Sequence, residues 1–321
     1  MNTMKWLMKR EFWEHKGGFF WAPAVVGAIM TLFLGVSLLI GVAMGKQHGF
    51  NINGMQVNSL SAAMSADDKA QAVSALAHGY MGTGAPLLMV LGFVVFFFCL
   101  GSLFDERKDR SVLFWKSLPV SDSDTVLSKA LTALVTAPLI TLAFATITSV
   151  LSLTFIVMAA VVMGVNVIGG VLTSPAVYLA PFEVAAILPV YIVWALPTVG
   201  WLMMISAWAR TKPFLWAVGV PLLTAALLSW FNAMFNFNWN IGWFWQHIVA
   251  RGLVSVAPGS WFGFVDVDTS VYIGPHQSAD LSLLVAQSWR ALGTADAWIG
   301  AAAGAAMIYA SARIRRWKDE G

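Results

Sequence analysis

Charge is what this sequence most lacks. Only 11% of its 321 residues are Asp, Glu, Lys or Arg, against about 25% in a soluble globular protein. With 59% apolar residues, such a chain could not cover its own surface in water, and an integral membrane protein is expected. Cysteine is nearly absent as well. The single Cys99 lies inside an apolar run, which excludes an internal disulfide framework and Cys-rich metal sites. The net charge of +3 comes from short basic clusters between apolar runs, so no nucleic-acid partner is expected.

Catalytic constellations are missing too. His15, His48, His78, His247 and His276 form no HExxH or H-x-x-x-H pair, and no metal site is expected. The run Gly41-Val-Ala-Met-Gly45-Lys46 echoes a phosphate loop. It is one residue short, lacks the Ser or Thr after the lysine and sits at the end of an apolar stretch, so no nucleotide site is expected. The apolar runs carry no Asp, Lys or Arg at their centres, and Glu183 sits at the end of one. Ion-coupled transport normally uses such groups at membrane depth, and so would an intramembrane enzyme. The chain is expected to be no enzyme and to bind no cofactor.

What is there is a series of long apolar runs. A hydrocarbon core of about 30 Å needs roughly 20 apolar residues as helix. On that ruler six spans fall near 19–44, 86–104, 130–160, 184–208, 213–234 and 296–313. The first is too long for the 7–15-residue core of a signal peptide and is expected to be a retained helix. From Ala130 to Gly164 there is no charge. A helix over that stretch would reach roughly 50 Å, so part of it must project, tilt or break, with Pro138 a candidate kink. Residues 165–182 are left as an outer loop or shallow dip. Residues 1–17 mix cations and aromatics and are expected to form an interfacial helix.

Basic residues orient this layout. With both termini in the cytoplasm, only Lys46, Lys69, Arg251 and Arg290 of the 19 Lys and Arg face outward, as the positive-inside rule requires. Two outer loops are long. Residues 46–85 are polar, and residues 236–295 are rich in aromatics that suit the headgroup zone. Pro189, Pro197 and Pro221 imply kinked helices. Gly300 and Gly304, four apart, permit close helix packing, within the chain or in a dimer.

One stretch breaks the apolar pattern: residues 105–129. A short helix is expected over 109–117, ended by Pro119. Ser121-Asp122-Ser123-Asp124 then supplies capping residues for the third span. A charged helix bearing Phe114 and Trp115 suits the groove of a cytoplasmic partner, or the lipid surface itself. The residues Asp105-Glu106-Arg107-Lys108-Asp109-Arg110-Ser111, Trp115-Lys116-Ser117-Leu118-Pro119-Val120-Ser121 and Val126-Leu127-Ser128-Lys129 resemble the signature of ABC-2 type transporter permeases. The layout of the whole chain is similar to theirs as well.

The resemblance implies an all-α integral membrane protein in the inner cell membrane, a single transmembrane domain over 1–321. It would have six spans, cytoplasmic termini, an N-terminal interfacial helix, a cytoplasmic coupling helix within 105–129 and a long outer loop, 236–295, before the last span. It implies a dimer of permeases, most simply a homodimer, bound to separate ATP-binding cassette subunits that hold the ATP and Mg and drive export. Glu106, Arg107, Arg110, Trp115, Lys116 and Pro119 would be the coupling contacts. A different class of function is a membrane-embedded sensor or assembly scaffold whose loop docks a partner that is not an ATPase. The cargo is not encoded in any motif.

Overall fold

A computed structural model describes residues 3–48, 50–52, 55–57, 64–109, 120–264 and 281–318. Helix dominates it. Helix α1 (Thr3–Glu14) leads through a π-turn (Gly17–Trp21) into α2 (Ala22–His48). A small antiparallel hairpin follows, β1 (Phe50–Ile52) and β2 (Met55–Val57), with Ile52 opposite Met55. Then come α3 (Ala66–Gly79), α4 (Ala85–Gly101) and the short α5 (Phe104–Lys108). Past the loop lie α6 (Asp122–Leu131), α7 (Ala137–Val162), α8 (Ile168–Thr173), α9 (Pro175–Ala185), α10 (Leu188–Trp208) and α11 (Val220–Phe235). The chain ends with α12 (Ile241–Phe244), α13 (Arg251–Val254), α14 (Leu281–Arg290) and α15 (Ala295–Lys318).

Five helical stretches are long and apolar enough to cross a membrane: Gly17–Gln47, Ala66–Lys108, Asp122–Val162, Pro175–Trp208 and Leu215–Phe235. A sixth arises if α14 and α15, bent by 68°, count as one span. The apolar runs thus become helices where hydropathy placed them, as fits a multi-pass membrane protein. Ile29, Leu32, Phe33 and Leu39 on α2, and Leu223 and Trp230 on α11, stay exposed. In water such surfaces would aggregate, whereas lipid covers them without cost. The interior is built on α4 and α10, where Leu91, Val95, Trp194, Val199, Leu202 and Met203 are buried.

The long charge-free run resolves as a helix of 41 residues from Asp122 to Val162, about 60 Å long and so well beyond a hydrocarbon core. Its polar first part, Asp122–Leu131, is packed against other elements. The helix is interrupted by a π-turn at Thr132–Thr136, just ahead of Pro138. The same pairing recurs at Gly17–Trp21 before Pro23 and at Leu215–Gly219 before Pro221. Proline has no N–H, and its ring strikes the carbonyl four residues back. One wider turn moves that carbonyl aside, and the helix continues.

Sequence and structure part in three places. The polar stretch 46–85 contains helix α3, 14 residues long and started by a capping box between Ser65 and Asp68. The stretch 165–182 contains α8 and most of α9 rather than open loop. Within the stretch 236–264, residues 236–248 stay mostly exposed, and it is the part from Val249 to Trp261 that turns inward. It folds back into the bundle, where the Thr198 hydroxyl, midway along α10, donates to the Arg251 carbonyl at 3.1 Å. A side chain at Gly92, midway along α4, would meet Ala257 Cα at 3.3 Å. Helices α10 and α15 pack along their length. Gly200 and Gly304 face each other so closely that a Cβ on Gly304 would strike the Leu196 carbonyl and Pro197 N. The Gly300/Gly304 spacing therefore serves packing within the chain.

Candidate functional site

Four elements meet at the end of the bundle from which the charged loop springs. Helix α6 opens on Ser121, whose Oγ accepts the Asp124 N–H at 3.0 Å. Its inward face carries Thr125, Ser128, Lys129 and Thr132, all buried, a helical stripe at spacings of three and four. Three of these satisfy themselves. The hydroxyls of Thr125, Ser128 and Thr132 donate to the carbonyls of Ser121, Thr125 and Ser128 at 3.2, 2.8 and 2.8 Å. Lys129 is left as the one stripe residue needing an outside partner.

Two carboxylates meet it. Helix α1 buries Leu7 and Glu11, one turn apart on the same face. The Lys129 ammonium lies 2.8 Å from Glu11 Oε2 and 3.0 Å from Glu106 Oε1. From the far end of the chain, α15 brings Arg315. It donates to Glu106 Oε2 at 2.7 Å and to Asp122 Oδ1 at 3.0 Å. Arg10 pairs with Glu11 and lies 3.4 Å from Glu106. Three cations and three carboxylates thus balance in a nearly water-free hub, with Glu106 touching all three cations. Lys129 is 1% exposed and Glu11 0%, and charges so buried persist only when paired and hydrogen-bonded. Glu14, 3.6 Å from Arg10 at the rim, is pushed above its ordinary pKa by burial, an effect that Arg10 opposes and Glu11 reinforces.

Arg107, next to Glu106, fastens α5 to α10. Its guanidinium donates to the carbonyls of Leu103 at 3.3 Å, Ser206, and Ala209 at 3.0 Å. The last two are open carbonyls at the α10 C-terminus, where a cation is favoured. Ser206 Oγ accepts the N–H groups of Leu103 and Phe104 at 3.1 and 3.0 Å, capping the start of α5. Of the six residues singled out from the sequence, Glu106 and Arg107 come together here, bonded within the chain. Arg110, Trp115, Lys116 and Pro119, and the helix expected over 109–117, lie outside the described residues.

The other hub members were not singled out for the site. Lys129 was visible as the end of the Ser128-Lys129 pair, and Asp122 as a capping residue. Nothing marked Arg10, Glu11 or Arg315 as its partners. Glu11, Glu14 and His15 place one potential ligand atom each within 4.8 Å of one another. The Glu11 carboxylate is already held by Arg10 and Lys129, so this donor set is better explained by ion pairing than by a metal. The hub's buried charges are taken up by one another, and a pocket opens beside its rim at Glu14 and His15. What the hub can do is hold four segments in one register. Comparison with family models, with curated proteins and with solved structures gives no match.

Proposed function

We propose that this chain is the membrane-spanning subunit of an ABC-2 type exporter, driven by ATP hydrolysed in a separate ATP-binding cassette subunit that docks on the loop between Lys108 and Asp122. The observation that carries this reading is the hub. It clamps the element before the loop (α5, through Glu106) and the element after it (α6, through Asp122 and Lys129) to α1 and α15. Arg107 ties the same base to α10. A push on the loop would therefore reach the ends of five helices through short, dehydrated, charge-assisted contacts. A chain whose sequence carries no nucleotide loop would be served by such an inlet for outside work.

This reading divides the six residues. Glu106 and Arg107 anchor the loop, and Arg110, Trp115, Lys116 and Pro119 meet the ATPase. The test is to purify the full chain from its source membrane, identify what co-purifies and measure ATP turnover. A cassette ATPase is expected, and Arg110→Glu with Lys116→Glu is expected to release it while the chain's own unfolding temperature is unchanged. Recovery of a partner with no ATPase activity, held by the same two residues, would instead establish the sensor or scaffold reading. A second copy of the chain in the purified complex is expected under the exporter reading.

A further inference from the structure

The segment that folds back into the bundle carries a cation to a place that charge counting along the chain assigns to an outer loop. Arg251 is 5% exposed. Its guanidinium carbon lies 3.5 Å from the centroid of the Trp194 ring, and Nη2 donates to the Asp296 carbonyl at 2.7 Å. Nη1 is shielded and has no hydrogen-bond partner. The carboxylate that lies nearby is otherwise engaged: Asp296 Oδ2 is 3.5 Å from His247 Nε2. Among the described residues, then, no acid pairs with Arg251. Asp296 acts on the guanidinium only through space, and a buried Nη1 with no acceptor is unfavourable, which points to a missing ligand oxygen.

Arg251 lines a cavity of about 340 Å³, within the range of small-ligand pockets. The cavity runs along α15 from Asp296 and Gly300 past Ala303 to Met307, roughly 16 Å of helix. Its opposite wall is Pro197 and Trp201 of α10. The polar groups Arg251, His247 and Asp296 gather at one end, and the remainder is apolar. Ile299 and Ala303 on its rim are exposed on a face where lipid is expected.

We propose that this cavity binds one anionic amphiphile from the bilayer. Its head, a carboxylate or a phosphate ester, supplies the acceptor oxygens that the Arg251 guanidinium lacks, and its hydrocarbon tail lies along α15 toward Met307. A neutral amphiphile of equal tail length fills the apolar part but brings no charged acceptor to Nη1, so the site discriminates by charge. Gly300 is required for this arrangement, since a Cβ there would strike Arg251 Nη2.

The full chain, purified in mild detergent, is incubated with oleate, phosphatidylglycerol or monoolein, and the bound molecules are counted by native mass spectrometry. No ATPase is needed, so the outcome is independent of the exporter reading. One anionic molecule per chain is expected, retained at least about tenfold better than monoolein, the difference one charge-assisted hydrogen bond makes. Arg251→Gln removes the discrimination. Ala303→Trp, on the exposed rim, fills the tail channel and reduces retention of the anion about tenfold, and it serves as the test should the arginine variant fail to fold. Preference for oleate identifies a free carboxylate amphiphile as occupant, and preference for phosphatidylglycerol a phospholipid; either supports the site. Equal retention of monoolein, or wild-type retention in Ala303→Trp, overturns it.

Discussion

Glu106 is held by Lys129, Arg315 and Arg10 at once, so the hub should respond very differently to removal of one charge and of a pair. Lys129→Met leaves Glu11 buried against Arg10 alone and should cost about 3–5 kcal/mol, the usual penalty for orphaning a buried charge. Adding Glu11→Leu to the same chain should recover most of that loss, because an apolar pair needs no compensation. Thermal unfolding of the two single variants and the double variant in detergent would show it, and simple additivity would mean that the two residues are not coupled. Glu14 gives the opposite sign. Its pKa is raised in the folded chain, so the folded state binds its proton more tightly than the unfolded one. Its contribution is present below the ordinary value of 4.5 and is lost as pH rises through the folded pKa. Glu14→Gln should therefore be stabilising at neutral pH and without effect at pH near 4, measured as the shift in unfolding temperature at each pH.

At the scale of elements, the α10–α15 contact is set by missing side chains. Gly304→Leu places a branched chain against the Leu196 carbonyl and should cost at least about 1–3 kcal/mol as an overpacked contact. Gly41→Leu on exposed helix α2, where a Cβ meets nothing within 4 Å, should be neutral or stabilising, since leucine is the better helix former. Unequal unfolding temperatures for the two would confirm the asymmetry. These elements were legible in the sequence to an uneven degree. The spans were, because hydrophobicity sustained over some 20 residues is a local property of the chain. The Gly300/Gly304 spacing was, but Gly200 opposite was not, since one sequence carries no record of which helix faces which. The hub was hidden for the same reason: Glu11, Glu106, Lys129 and Arg315 are each ordinary charges in their own segments. Arg251 was legible only as a charge between two spans, because a tally along the chain cannot see that its segment packs against α10 and α15.

For the molecule as a whole, the hub places the ends of α1, α5, α6 and α15 together, and the positive-inside rule predicts that this end faces the cytoplasm. Cys99 is fully buried, so the wild-type chain should be inert to polar thiol reagents and can serve as background. Lys108→Cys and Arg316→Cys, both exposed, should be labelled only from the cytoplasmic side. Gln47→Cys and Asn236→Cys, also exposed, should be labelled only from the opposite side. Labelling of Lys108→Cys and Arg316→Cys from different sides would contradict the arrangement.

The hub also has an order of arrival. Ribosomes make a chain from its N-terminus at about 5–20 residues per second, so Glu11, Glu106 and Lys129 emerge early. Arg315, which holds both Glu106 and Asp122, emerges roughly 190 residues after Lys129, about 10–40 seconds later. Throughout that interval the membrane holds a nascent chain whose loop base carries one carboxylate too many. Closure of the base is thus delayed until the last helix has been inserted, and a partner that recognises only the closed form would never engage an unfinished subunit.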